Sequence, residues 1–330
     1  MHEYLRNLPP SQQVAALFLI VFGLLAVIST AAFLLTFRSR HDEHDERWQE
    51  GLRDFRRLLS VSWAMVVVFW IAWAAGETVA TVLFALIAFL ALREFITLSP
   101  TRRADHRSLV LAFFVVLPVQ FWLAGTRHFD LFTVFIPVYV FFALPLVSAI
   151  GGDTQRFFER NAKLQWGIVV CVYGMSHVPA LLLFEFRDPA WRGKGAFLVF
   201  FLVFVVQTCM LVQHLLTRRL QRPPSLPEVS TSFNWFTWAL GMAVGSLLGA
   251  ALSFITPFRV EQAMAMACIA CVAGSLGHLV MKALKRDRGV PAWGHGSSSV
   301  TGANGLLDRV DALCFAAPIF FHSVRWYFGV

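Results

Sequence analysis

The chain has 330 residues, of which 57% are apolar or aromatic and 15% are charged, and its formal net charge is +8. Soluble globular proteins average roughly 45–50% apolar and about 25% charged residues, so this composition excludes an ordinary soluble protein. The apolar residues recur in long, evenly spaced runs. We therefore expect one polytopic membrane protein rather than two soluble domains.

Ten segments meet or approach the roughly 20 apolar residues that a helix needs to cross a bilayer. They are 14–37, 58–75, 79–92, 108–124, 131–150, 166–184, 195–216, 233–255, 260–284 and 312–328, of which 79–92 is short. Open strands would leave backbone groups unsatisfied in lipid, and the runs lack the alternation of a barrel. The predicted fold is an all-α, polytopic membrane helix bundle of about ten transmembrane helices.

The segment 38–57 follows the first predicted span and is densely charged. Its apolar residues Trp48, Leu52 and Phe55 share one helical face, which favours a helix at the lipid headgroups. Residues 41–46 are His, Asp and Glu only, and they predict either a metal cluster or a solvated linker. Adjacent side chains fan around a helix, which favours the linker. We predict an N-terminal anchor and interfacial segment at 1–60 and a membrane domain at 61–330.

The positions of Lys and Arg predict the orientation. With ten spans, 21 of the 28 basic residues fall in loops on one side. The positive-inside rule places that side in the cytoplasm and both termini outside. Topology and anionic lipids explain the positive charge, and no basic stripe indicates nucleic-acid binding.

Polar residues within the spans are candidates for function or for hydrogen bonds between helices. These residues are Gln120, Ser176, His177, Gln207, Gln213 and His214. The cysteines Cys171, Cys209, Cys268, Cys271 and Cys314 all lie in apolar segments, where a free thiol behaves as a small hydrophobic group.

The densest polar region is 282–311, which is predicted to be cytoplasmic. Its glycines and serines could curve around phosphate oxygens, and Lys285 and Arg286 supply positive charge. Asp308 and Asp311 are three residues apart, so both carboxylates can face one side of a helix and hold Mg²⁺ with a nucleotide phosphate. The alternative is a basic turn followed by acidic residues that favour the helix dipole.

This region resembles the signature of the phosphatidate cytidylyltransferase family, the CDP-diacylglycerol synthases, in its long bacterial subgroup. The matching residues are Lys285-Arg286, Gly289, Trp293-Gly294 and the Leu-Asp-Arg-Val-Asp run at 307–311. Blocks elsewhere are similar too, among them ALREF at 91–95, SHVPALL at 176–182 and FAAPIFFHSVRWYF at 315–328.

The resemblance implies a membrane enzyme that converts CTP and phosphatidate into CDP-diacylglycerol and pyrophosphate for phospholipid biosynthesis. It implies that Asp308 and Asp311 are catalytic, with Asp308 as a ligand of a Mg²⁺ cofactor. It also implies that the substrate is bound by Lys285, Arg286, Arg309 and Gln213. The expected partners are CTP, phosphatidate or a related phospholipid, membrane lipids, and a second copy or a paralogue.

Several residues depart from the family pattern where the chemistry takes place. A Lys-Asp pair is replaced by Pro291-Ala292, a serine by Lys282, an aspartate by Met210 and a lysine by Phe233, while GHGG reads Gly-Ala-Asn-Gly at 302–305. Two hypotheses follow. The chain is an active cytidylyltransferase in which other side chains compensate, or it is a degenerate homologue that retains the lipid-binding scaffold as partner or regulator of a lipid enzyme. A transporter is a third reading from composition, although no internal repeat is visible.

Overall fold

A computed structural model describes residues 63–97, 102–186, 191–290 and 305–328, together with 12–16, 18–19, 21–23, 26–27 and 29–30. The chain divides into two compact units, Met1–Ala80 and Thr81–Val330. Helices and short turns make up the described residues, which contain no strand. The all-α prediction is therefore confirmed for this part of the chain.

The described residues after residue 62 form nine helices. They are α1 (Trp63–Ala74), α2 (Glu77–Thr97), α3 (Arg103–Gly125), α4 (Phe129–Ile150), α5 (Phe157–Leu182), α6 (Gly195–Leu220), α7 (Trp235–Ile255), α8 (Val260–Asp287) and α9 (Leu307–Phe328). Helices α3, α4 and α5 each contain a π-helical stretch, at Ala112–Val116, Phe135–Val140 and Ile168–Gly174. The stretch 135–140 contains Pro137, and the stretch 112–116 ends two residues before Pro118. The missing N–H of a proline interrupts regular α-helical hydrogen bonding.

Seven of these helices, α2 to α8, are long and apolar enough to cross a membrane. The chain is therefore a multi-pass membrane protein, and its described residues contain seven candidate spans; the predicted total of ten stays a prediction. The segment predicted as short, 79–92, belongs to the 21-residue helix α2 and reaches full length. Helix α1 has only the described residues 63–74, and α9 begins with Asp308, Arg309 and Asp311 in its first turns.

The first unit is held together by aromatic packing. Phe18 lies 5.7 Å from Trp73, and Phe22 lies 5.7 Å from Trp63, measured between ring centroids. The indole N–H of Trp63 donates a hydrogen bond of 2.9 Å to Ser29. The helical residues between 12 and 30 therefore pack against α1. The predicted interfacial segment 38–57, with the acidic and histidine run 41–46, lies outside the described residues.

In the second unit, α7 packs against α6 and α8 through a stripe of three glycines. A Cβ on Gly241 would lie 2.9 Å from the Cys209 carbonyl oxygen, and one on Gly249 would lie 2.2 Å from the Cβ of Ala267. At Gly245 it would lie 2.5 Å from the sulfur of Cys271. Small residues spaced four apart lie on one side of a helix and let membrane helices approach closely. The three glycines of α7 allow this close approach to α6 and α8.

The remaining helices are joined by buried polar contacts. Gln120 of α3 donates a 3.1 Å hydrogen bond to Ser176 of α5. These two polar residues therefore form a hydrogen bond between helices, which is one of the two roles predicted for polar residues within the spans. Arg160 at the start of α5 is 6% exposed and pairs with Asp105 at 3.0 Å and with Asp153 at 2.6 Å. These contacts bring the start of α3, the end of α4 and the start of α5 together.

The loops that carry most of the described positive charge lie at one end of the second unit. Arg160 joins two of these loops, and Arg286 at the end of α8 reaches the loop between α6 and α7. Glu94 near the end of α2 contacts the beginning of α9. We call this end, formed by residues 94–97, 102–105, 151–160, 221–234, 282–290 and 305–311, the basic end. The candidate site lies there.

Candidate functional site

The site is formed where the last turns of α8 meet the first turns of α9. On α8, His278, Lys282 and Lys285 are spaced four and three residues apart and so lie on one helical face. On α9, Asp308 and Asp311 lie on the side of the helix that faces these α8 residues. The two helices can approach closely here because a Cβ on Gly277 would lie 2.2 Å from the ring of Phe315.

Each carboxylate contacts a basic side chain of the facing helix. The Lys285 ammonium donates to Oδ1 of Asp308 at 2.5 Å, and both side chains are about one-eighth exposed. Nδ1 of His278 lies 2.7 Å from Oδ2 of Asp311, whose side chain is only 4% exposed. The other oxygen of Asp311 accepts a 2.6 Å hydrogen bond from the backbone N–H of Ala312. The structure thus brings together Asp308, Asp311 and Lys285 and adds His278, which sequence reasoning missed.

Glu94 of α2 positions the first turn of α9. Its two carboxylate oxygens accept hydrogen bonds from the backbone N–H groups of Gly305 at 2.5 Å and Leu307 at 2.8 Å. The N–H groups of a first helical turn have no partner within the helix, and a carboxylate there also interacts favourably with the helix dipole. Glu94 therefore caps α9 from a distant part of the sequence. The available signal in the sequence was a charged pair, Arg93 and Glu94, near the end of a mostly apolar helix.

The other predicted substrate-binding residues take different positions. Arg286 donates from one nitrogen to the carbonyl oxygens of Pro227 at 2.7 Å and Glu228 at 2.9 Å, which fastens the loop 221–234 to α8. Arg309 is exposed on α9, and its side chain makes no hydrogen bond or ion pair with the described residues. Gln213 lies on α6 next to Gly241 of α7, and it does not hydrogen-bond to either carboxylate in the described structure.

The residues that depart from the family pattern lie around the same end. Lys282 is one turn before Lys285, and its ammonium lies 3.5 Å from the hydroxyl of Ser232. Phe233 is buried, with 3% of its surface exposed, and packs edge-on against Trp235. Met210 is half-buried on α6. Pro291, Ala292 and the segment 302–304 lie outside the described residues.

The described side chains do not fit a Mg²⁺ site. Mg²⁺ needs near-octahedral oxygen ligands, usually one or two carboxylates with waters and phosphate oxygens. Here Asp308 contacts an ammonium group, and both oxygens of Asp311 already accept or contact N–H groups. Within the described part of the chain, no three His, Cys, Asp or Glu side chains are grouped so that they could hold a metal ion.

Comparison with known proteins agrees with the C-terminal signature. The sequence pattern of the cytidylyltransferase family matches residues 55–327, which is most of the chain and includes every helix described after residue 62. The chain belongs to the cytidylyltransferase family. It is also similar to the uncharacterized protein YnbB of Escherichia coli (strain K12), with 30% identity over 267 residues that cover 80% of this chain and 85% of that protein.

Membership in the cytidylyltransferase family makes the departures more informative. The family match extends over most of α9, where Asp308 and Asp311 lie in the first turns. Lys285 matches the family pattern and Lys282 takes the place of a serine, so this departure adds one positive charge beside the two carboxylates. A lysine and a histidine face them from α8, and a second lysine, Lys282, lies between those two.

Proposed function

We propose that this protein is a membrane-embedded phosphatidate cytidylyltransferase, which joins CTP and phosphatidate to give CDP-diacylglycerol and pyrophosphate in phospholipid biosynthesis. The observation that carries the proposal is the convergence of Lys285, Asp308, His278 and Asp311 at the basic end, within a chain of this family. We further propose that this end faces the cytoplasm of a bacterial inner membrane, with ten spans and both termini outside, because the positive loops gather there.

The proposed chemistry needs several phosphate groups to be held together. The phosphatidate phosphate attacks the α-phosphorus of CTP, and pyrophosphate leaves, so negative charge accumulates at one place. Lys285 and Arg309 lie next to Asp308 and can bind phosphate oxygens directly, as cations do at phosphoryl-transfer sites. The pairing with Asp308 keeps the Lys285 ammonium at a fixed position at the start of α9.

A second candidate is a degenerate homologue that binds lipid without turnover and acts as partner or regulator of a lipid enzyme. The pairing of both carboxylates with basic side chains favours it, because cytidylyl transfer commonly relies on a metal ion to neutralise the phosphates. Losing one electrostatic contact to a transition state costs on the order of 2.7–4 kcal/mol, and several contacts of the family pattern are replaced here.

The two candidates are separated by one assay. The purified full chain is reconstituted in liposomes with phosphatidate and radiolabelled CTP, with and without Mg²⁺, and labelled lipid is extracted. The enzyme predicts labelled lipid that is lost in Asp308→Ala and retained in Asp287→Ala, a matched change of an exposed aspartate at the end of α8. If the folded wild-type protein binds phosphatidate but produces no labelled lipid, the enzyme is refuted and the degenerate homologue is supported.

A further inference from the structure

The basic face of α8 has two ammonium groups, and of these only Lys285 is paired with a carboxylate in the described structure. Asp308 pairs with Lys285 and Asp311 contacts His278, and Lys282 lies between these two pairs along the helix. The charges of Asp308, Asp311 and Lys285 all act on Lys282, so it is part of the same cluster. Its ammonium makes one described contact, at 3.5 Å to Ser232, although an ammonium can donate three hydrogen bonds.

Positive charge exceeds negative charge in the surroundings of this cluster as well. Among the described residues around the cluster, five cations face four carboxylates: Lys282, Lys285, Arg286, Arg288 and Arg309 against Glu94, Asp287, Asp308 and Asp311. The connecting segment 288–306 adds no acidic residue, because its sequence contains neither Asp nor Glu. A divalent cation placed at Asp308 would have to displace or tolerate the Lys285 ammonium, whereas an anion would meet unneutralised positive charge.

The geometry points to a metal-independent phosphate site: we propose that Lys282, with Lys285 beside it, binds a phosphomonoester group directly and so takes the place of a divalent cation. This inference rests on the proposed function, in which the same cluster binds phosphatidate. A phosphomonoester carries up to two negative charges and three acceptor oxygens, which matches two neighbouring ammonium groups. The phosphomonoester can come from a lipid headgroup or from a small soluble molecule.

The test measures binding of dioleoyl phosphatidate to the purified full chain in detergent by native mass spectrometry, in EDTA and in excess Mg²⁺. Dioleoyl phosphatidylcholine, which has no phosphomonoester, is the control lipid. We expect equal phosphatidate binding with and without the metal. Binding that appears only with Mg²⁺ would overturn the inference and leave the proposed function intact, while no phosphatidate binding in either condition would overturn both.

Variants assign the binding to Lys282. Lys282→Ser should weaken phosphatidate binding about tenfold or more, as expected for the loss of one charge-assisted hydrogen bond. Lys282→Arg should retain phosphatidate binding, because arginine keeps a positive charge at this position. Lys163→Gln removes a lysine of the same end that pairs with Glu159, and it should have no effect. Unchanged binding in Lys282→Ser, or equal loss in Lys163→Gln, would refute the role of Lys282.

Competition distinguishes the two sources of the phosphomonoester. Glycerol 3-phosphate is added to the phosphatidate complex in EDTA, with glycerol as control. If the site recognises the phosphate group alone, glycerol 3-phosphate displaces the lipid at concentrations near its own dissociation constant. If the acyl chains supply most of the affinity, the lipid stays bound, and the natural ligand is a lipid headgroup. Displacement by glycerol as well would show that the phosphate is not recognised and would refute the inference.

Discussion

Replacement of Glu94 by Gln tests the capping of α9 most directly. The Glu94 carboxylate accepts one backbone N–H with each oxygen, from Gly305 and from Leu307, and the residue is only 8% exposed. Glutamine has nearly the same shape but a single acceptor oxygen, so one N–H would face an NH₂ group. Because the change is nearly isosteric, its effect measures the charge and the hydrogen bond rather than lost packing.

The expected cost follows from these contacts. A hydrogen bond to a charged group contributes about 1.5–3 kcal/mol, and an unsatisfied buried N–H costs about 1–3 kcal/mol. The favourable interaction of the carboxylate with the helix dipole adds roughly 0.3–1 kcal/mol. These contributions overlap, and we expect Glu94→Gln to lower the free energy of unfolding by about 2–4 kcal/mol.

The assay is unfolding of the full chain in mixed micelles with increasing denaturing detergent, followed by tryptophan fluorescence. Glu261→Gln is the matched control, because Glu261 is an exposed glutamate in the first turn of α8. Phosphatidate binding to the folded variant should weaken as well, since Asp308 lies in the first turn of α9. A loss below about 0.5 kcal/mol, which is within the usual range for surface substitutions, would refute the capping role of Glu94.

Further predictions concern the packing of α7 and the basic end. Gly249→Val should destabilise the protein by about 1–3 kcal/mol in the same unfolding assay, because its Cβ would lie 2.2 Å from that of Ala267, while Val at the exposed Ala251 should not. The N–H of Gln155 and the Arg160 guanidinium lower the pKa of Asp153. Its contribution to stability is therefore present above the unfolded pKa of about 3.9 and lost as the pH falls further. Asp153→Asn should lower the unfolding temperature at pH 7, and the difference from wild type should shrink at pH 3; a difference that does not change with pH would contradict this explanation.

The helices of this protein could be predicted from local sequence because lipid allows few alternatives. An apolar run of sufficient length must form a helix in a bilayer, so 131–150 and 195–216 were placed within a few residues of α4 and α6. Helix ends were less certain, and 79–92 was extended at both ends in α2, because polar residues such as Glu77 and Glu94 belong to the helix. Hydropathy contains no information on the hydrogen-bond partners that allow such polar residues to lie within a membrane helix.

For the site, the sequence alone determined which residues share a face. The three-residue spacing of Asp308 and Asp311 places both on one side of α9, and the spacing of Lys282 and Lys285 does the same on α8. These relations depend only on helical geometry, which is the same in every α-helix. The family signature was likewise readable from the residues, and the comparison with known proteins confirmed it.

The tertiary structure decided what each of these side chains contacts. Asp311 meets His278 and Asp308 meets Lys285 because close contact at Gly277 sets the distance and rotation between α8 and α9. Glu94 reaches the start of α9 from 213 residues away in the sequence. Such contacts depend on how separate helices are rotated and shifted against one another, and no spacing within a single helix specifies that. The sequence therefore predicted a pair of carboxylates at the start of the last helix, and the packing of the helices determined that basic side chains surround them.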